Sequence, residues 1–248
     1  MRDIPALSLT WRDGLFAHWP VEADRVRPLV PDELDVDTRK GSAWVSALPS
    51  VAAGVRPASF PASAGLTFPQ VNLRTYVRYE TEPGVYFLSL DTTTELGVRL
   101  ARSAYGLPYY HADVEFERSE RPTDARSAEE GGEDGTTFDC HFASERDDDA
   151  ADAPARFSAT YRPAGDPFRA PPGSLEAFLA ERYRLYVVRD GTVWCARVDR
   201  DPWRLREAEA TVYADSLWQA AGLPAPADEP LLRYSSGAAF EIRTPFRP

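Results

Sequence analysis

Residues 70–111 read QVNLRTYVRYETEPGVYFLSLDTTTELGVRLARSAYGLPYYH, and this stretch decides the fold. Its first nine residues alternate: Gln70, Asn72, Arg74, Tyr76 and Arg78 on one side, Val71, Leu73, Thr75 and Val77 on the other. A period of two belongs to a strand with unlike faces. Residues 85–91 form a second strand-like run, 94–105 read as a helix stopped by Gly106, and a Gly-Leu-Pro-Tyr-Tyr turn follows. Outward from this segment, further runs rich in Val, Phe, Tyr, Trp and Thr occur at 7–19, 42–55, 112–118, 137–143, 155–161, 185–188, 193–198 and 232–243. They predict a mainly β protein. Asp190-Gly191 between two of them is a two-residue hairpin signal, because a primed turn needs positive φ. The remaining helices are short. One covers 22–29 and another 214–221; the clearest opens at Pro172-Gly173-Ser174, with Ser174 as N-cap and Leu175, Phe178, Leu179 and Arg182 on one face.

A β-rich chain of 248 residues can bury its core as one domain, and residues 1–248 are read as one. Two acidic segments, 119–136 and 144–154, read as mobile loops between strands, since they offer little apolar surface to pack. The balance is 28 basic against 39 acidic residues, net charge −11. Such a charge repels phosphate backbones and anionic lipid, so neither nucleic acid nor membrane is an expected partner. Lys40 is the sole lysine. Lysine avoidance with abundant acid points to a halophilic, acidic surface working in high salt, where the Debye length falls to roughly 3 Å at ~1 M; GC-rich codon usage is the alternative source of the arginines. Cys140 and Cys195 are too few for a disulfide framework and lack metal-ligand spacing. No run approaches the ~20 apolar residues of a membrane span, and residues 1–9 do not read as a signal peptide, so a cytoplasmic location is expected. No metal or cofactor is expected, and a homo-oligomer stays open.

The order of residues resembles the YqjF-like family over essentially the whole chain. The matching pieces are Gly14-Leu15-Phe16 to Trp19, Gly41-Ser42-Ala43-Trp44-Val45, Asn72-Leu73-Arg74-Thr75-Tyr76-Val77, residues 84–91, Ala101-Arg102, Leu107-Pro108-Tyr109, Glu181-Arg182-Tyr183 and Pro202-Trp203. That family is similar to the acetoacetate decarboxylase-like superfamily. The resemblance implies a curved antiparallel β-barrel or cone around a small-molecule cavity, with short packing helices. Decarboxylases of that superfamily present a Schiff-base lysine from a Gly-aromatic-Pro-Lys turn after the helix. Here the similar turn is Gly106-Leu107-Pro108-Tyr109, and a phenol cannot form an imine. Lys40, in Asp37-Thr38-Arg39-Lys40-Gly41, reads as part of an exposed turn where an amine stays protonated.

Several side chains carry two readings each. The polar face of 70–78 is either the solvated side of an antiparallel strand or, as the resemblance implies, a cavity wall, with Arg74 clamping an anion or carbonyl and Asn72 and Tyr76 beside it. Asp91 caps the following helix with the threonines after it, or is a partly buried carboxylate that exchanges protons. Arg102 pairs with Asp91 or reaches a ligand anion. Alternation places Tyr109 and His111 on one face, where a histidine can hold a structural hydrogen bond or move protons. Trp203 reads as lid or core, while His18 and His141 have no neighbour in sequence that would make a metal site.

These readings support a module that binds a small anionic or carbonyl-bearing organic molecule through Asn72, Arg74, Tyr76, Arg102 and Tyr109. The alternative is a non-covalent acid–base enzyme, a lyase, isomerase or hydrolase, in which Tyr109, His111 or Asp91 moves a proton. No nucleophile elbow, phosphate loop or dinucleotide fingerprint accompanies them.

Overall fold

Period-two patterning resolves into twelve strands in a computed structural model that describes residues 4–120 and 138–248. They are β1 (Pro5–Val21), β2 (Asp35–Val36), β3 (Ala43–Pro57), β4 (Leu66–Tyr79), β5 (Glu82–Thr92), β6 (Tyr109–Glu120), β7 (Phe138–Arg146), β8 (Arg156–Phe168), β9 (Arg184–Arg189), β10 (Thr192–Asp199), β11 (Leu205–Tyr213) and β12 (Leu231–Arg243). The helices are α1 (Ala23–Val26), α2 (Glu95–Leu100), α3 (Leu175–Ala180) and α4 (Asp215–Ala220), with a π-turn over Ala101–Tyr105 extending α2. None of the helices is long and apolar enough to cross a membrane among the described residues.

The sheet closes into a ring: β5 leads through β6, β7, β8, β11, β12, β1 and β3 to β4, and β4 pairs back onto β5. The β9–β10 hairpin spans from β5 to β12 as a second, smaller circuit. Its turn is the one the sequence predicts, with Asp190 at φ 49° and Gly191 at φ 68°. Closure leaves few free strand edges. The expected all-antiparallel pattern needs correction at β5, which pairs in parallel with both β6 and β9. A parallel neighbour requires a crossover, and α2 with its π-turn supplies the one between β5 and β6.

The two faces of β4 separate the interior. Val71, Leu73 and Val77 join Leu15, Ala17 and Trp19 of β1, Val45 and Ala47 of β3, and Phe142 and Phe157 in the main apolar core. Trp218 of α4 closes that core edge-on to Trp19, ring centroids 5.5 Å apart. Full burial of side chains this large contributes about 1.5–3 kcal/mol each. The opposite face carries Tyr76 and packs under α3, whose Leu179 is buried with Phe178 and Leu175 alongside. Ser174 caps α3 as the sequence indicates, its Oγ accepting from Ala177 N at 3.0 Å. Trp203 is core rather than lid, buried against Trp11 and Phe16.

Three local expectations change. Residues 144–146, assigned to an acidic loop, end β7, where Arg146 is buried. Ser119 and Glu120 likewise end β6, while the rest of the first acidic segment, 121–136, lies outside the described residues. Strand β11 falls where no strand was read; its alternating pattern, with Ala208, Ala210 and Val212 turned to the core and Glu207, Glu209 and Tyr213 exposed, is fixed by pairing with β8.

Candidate functional site

Strand register builds the site as three rungs on the α3-facing side. His18 of β1 lies opposite Ser46 of β3, Ser46 opposite Arg74 of β4, and Arg74 opposite Phe87 of β5. The next rung is Leu48, Asn72, Leu90 and Tyr109; the third is Ser50, Gln70, Thr92 and His111. A register shift after Leu73 makes Phe87 rather than Leu88 the partner of Arg74. Gln70, Asn72 and Tyr76 are buried, so the polar face of β4 is not a solvated outer surface.

Arg74 is the centre of this face. Its Nη2 donates to Leu179 O of α3 at 3.2 Å and its guanidinium lies 5.7 Å from the Tyr76 ring centroid. Among the described residues it has no carboxylate partner, and its buried Nε has no hydrogen-bond partner at all. The arginines around it differ in this respect: Arg182 binds Asp37 at 2.8 Å, Arg200 binds Glu181 at 3.0 Å and Arg233 binds Glu176 at 2.8 Å. Burial lowers the pKa of Arg182 and Arg200, and the charge of Arg74 adds to that against the pull of their acids. Two more buried atoms on the same face lack partners: Ser50 Oγ and Asn72 Oδ1, although Asn72 Nδ2 reaches Leu48 O at 3.4 Å. Arg233 Nε is a third. A buried polar atom left unsatisfied costs about 1–3 kcal/mol, so a group of them around an unpaired cation is costly in the free protein.

Beside Arg74 lies a cluster that has no local signal in the sequence. Ser46 Oγ is 2.6 Å from His18 Nδ1 and 2.7 Å from Tyr76 Oη, and Tyr76 Oη is 3.3 Å from His18 Nδ1. Ser46 and Tyr76 are 0% exposed and His18 2%. Burial, then the charges of Arg74 and Arg233, hold the His18 imidazole well below its usual value of 6.5, so it is neutral. Tyr109 donates to Gln70 Oε1 at 3.1 Å, and burial pushes its phenol up to about 12, keeping it a proton donor at neutral pH.

The other candidates are engaged outside this group, including His111, whose backbone lies on the third rung but whose ring meets Asp147. Asp91 points to the opposite face and is held by Arg146 through two bonds, Nη2 to Oδ1 at 2.7 Å and Nε to Oδ2 at 3.2 Å, with Arg146 stacked 4.0 Å over Tyr110. Burial raises its carboxyl pKa while Arg146 pulls it down. It does not cap α2, whose N-cap Thr94 makes no side-chain bond, and it does not pair with Arg102. Arg102 donates to Tyr109 O at 2.6 Å and binds Asp148 at 2.6 Å, bracing the start of β6. Asp148 also accepts from His111 N, and His111 Nδ1 lies 2.5 Å from Asp147 Oδ1. Lys40 is exposed in the turn before β3 with φ 54°. Thus Asn72, Arg74, Tyr76 and Tyr109 share one face, and Asp91 and Arg102 serve ion pairs elsewhere.

An opening of about 240 Å³ lies where β5 and β9 diverge, and Phe87, Leu107, Pro108 and Val187 contribute to its lining. These two strands touch at a single rung, Val85 opposite Leu185. Phe87 thus both lines this opening and is the register partner of Arg74.

The architecture has relatives. The chain resembles the enduracididine biosynthesis enzyme MppR in its complex with pyruvate, with a TM-score of 0.65, 13% identity and coverage of 100% of this chain and 91% of that one. It also resembles an acetoacetate decarboxylase-like enzyme from Sphingomonas wittichii RW1, with a TM-score of 0.61, 14% identity and coverage of 98% and 94%. At these identities the likeness establishes a shared fold, the acetoacetate decarboxylase-like one. In sequence, the chain is 39% identical over 227 residues to the uncharacterized protein YqjF of Bacillus subtilis (strain 168), covering 91% of this chain and 86% of that protein. Residues 8–239 match DUF2071, described as an uncharacterized conserved protein (COG2071), and the chain belongs to that family.

Proposed function

We propose that the α3-covered face of β4 binds a small organic carboxylate, with Arg74 taking its charge. The observation that carries this reading is a guanidinium that, among the described residues, has an unpartnered Nε and no acid, set among three arginines that each have one. An arginine holds a carboxylate by two parallel bonds, and a ligand anion supplies the missing counter-charge. Asn72 Oδ1 and Ser50 Oγ offer further polar contacts, and the phenol of Tyr109 fixes the orientation of the Gln70 amide. A bound carbonyl compound is not activated as an imine here: that chemistry needs an amine in the site, and the one lysine is exposed in a turn. The pyruvate bound by MppR makes short 2-oxo acids the first probes.

The test is thermal stabilisation of the full-length protein by pyruvate and other short carboxylates. A ligand at a hundred times its dissociation constant stabilises by about 2.7 kcal/mol, which raises the melting temperature measurably. Saturable stabilisation that vanishes in Arg74→Met is expected. Equal stabilisation of that variant, or none by any member of the series, refutes the reading.

A further inference from the structure

We infer that the His18–Ser46–Tyr76 cluster is proton-transfer machinery, and that the protein interconverts keto and enol forms of the carboxylate held on Arg74. The inference rests on the Arg74 reading and assigns it a reaction. Three hydroxyl and imidazole groups at 2.6 and 2.7 Å form a chain that can be ordered in either direction. In one, His18 Nδ1–H donates to Ser46, Ser46 donates to Tyr76, and the Tyr76 hydroxyl is free to donate to a ligand. In the other, Tyr76 donates to Ser46, Ser46 donates to His18 Nδ1, and Nε2 carries the ring proton. The two arrangements differ by one proton moved from one end to the other.

That exchange matches what tautomerisation requires. A C–H bond beside the carbonyl breaks and its proton goes to His18 Nε2. Nδ1 passes its proton to Ser46, Ser46 passes its own to Tyr76, and Tyr76 delivers its proton to the carbonyl oxygen, where an O–H bond forms. The electron pair of the C–H bond becomes the C=C bond of the enol, and no oxidant or reductant is needed. The reversed chain then runs the opposite conversion, which returns it to its first state. Each of the three relay groups, His18, Ser46 and Tyr76, stays neutral throughout. This suits an imidazole in the field of Arg74 and Arg233, where an imidazolium is disfavoured. Arg74 lies opposite Ser46 on the same rung and beside the Tyr76 ring, so a carboxylate held there places its neighbouring carbonyl near the phenol end.

The experiment follows deuterium entering the methyl group of pyruvate in D2O by proton NMR, with thermal stabilisation by pyruvate measured in parallel. Wild-type protein is expected to accelerate the exchange. Tyr76→Phe, which keeps the ring and the Ser46–His18 bond, and His18→Gln are each expected to reduce the acceleration at least about a hundredfold, while pyruvate still stabilises both. Stabilisation of the wild type without accelerated exchange, or full exchange in Tyr76→Phe, overturns this inference and leaves the Arg74 reading standing. Absence of stabilisation by pyruvate in the wild type overturns this inference, and absence of stabilisation across the whole carboxylate series removes the Arg74 reading as well. Since the wild-type measurement alone can refute, a variant that fails to fold does not rescue the idea.

Discussion

Replacing Arg74 by methionine should stabilise the free protein while abolishing its response to carboxylates. Methionine keeps most of the side chain's length and flexibility. The change removes a buried Nε that has no partner, a cost of about 1–3 kcal/mol. It also removes one positive charge from the neighbourhood of Arg182, Arg200 and His18. Against this stand the bond to Leu179 O and the packing on Tyr76, together worth about 1–2 kcal/mol. The balance favours the variant by about 1 kcal/mol, or roughly 2–4 °C in melting temperature for a chain of this size. Arg182→Met is the contrasting control. It strips Asp37 of a buried partner and should approach the ~3–5 kcal/mol loss of a broken buried pair, moderated by the remaining bond from Arg78. Urea unfolding of both variants reads the difference, and NMR of the His18 ring should show its titration moved to higher pH in Arg74→Met. If Arg74→Met loses as much stability as Arg182→Met, Arg74 is a structural residue and the site argument fails.

Asp91→Asn should lose about 3–5 kcal/mol in the same assay, because Arg146 is then left buried without its counter-charge. Ser174→Ala removes the acceptor for Ala177 N and should cost about 1 kcal/mol, visible as a lower denaturation midpoint with an unchanged slope. His18 gives the protein a specific acid sensitivity. In the unfolded chain its ring takes a proton near 6.5, whereas the folded protein resists protonation to well below that, so the contribution is fully present above 6.5 and is lost as pH falls toward the folded value. Stability measured across that window should fall by up to about 1.4 kcal/mol per pH unit more in the wild type than in His18→Gln.

The parts of this fold that a reader of the sequence can find are those written within one segment. The alternation from Gln70 to Arg78 is real, and so are the Asp190-Gly191 turn and the Ser174 cap, because each depends on residues a few positions apart. Strand β11 is hidden by composition: Arg206, Glu207, Ala208, Glu209 and Ala210 are all good helix formers, and only pairing with β8 makes them extended. The same limit governs the site. Asn72, Arg74, Tyr76 and Tyr109 were accessible from β4 and the turn, yet His18 and Ser46 lie 28 residues apart, and Ser46 lies 30 from Tyr76. Register across β1, β3 and β4 unites them, and no local pattern encodes that register. Asp91 and Arg146, 55 residues apart, show the converse case. Arg146 sits in a stretch whose acidity suggests a loop, while its partner reads as a helix cap.

The position of β12 has a consequence for biosynthesis. It is the last strand in order among the described residues, and it stitches together β1, β10 and β11, the first of these along most of its length. A ribosome delivers β1 before β12, so β1 must wait with one edge unsatisfied while the intervening chain is made. Local hairpins such as β9–β10 can form as they emerge, but circular closure waits until β12 has been made. A nascent chain stalled before Leu231 would therefore present the open edge of β1 to any other extended segment nearby, which makes synthesis of β12 the step that protects this protein from aggregation.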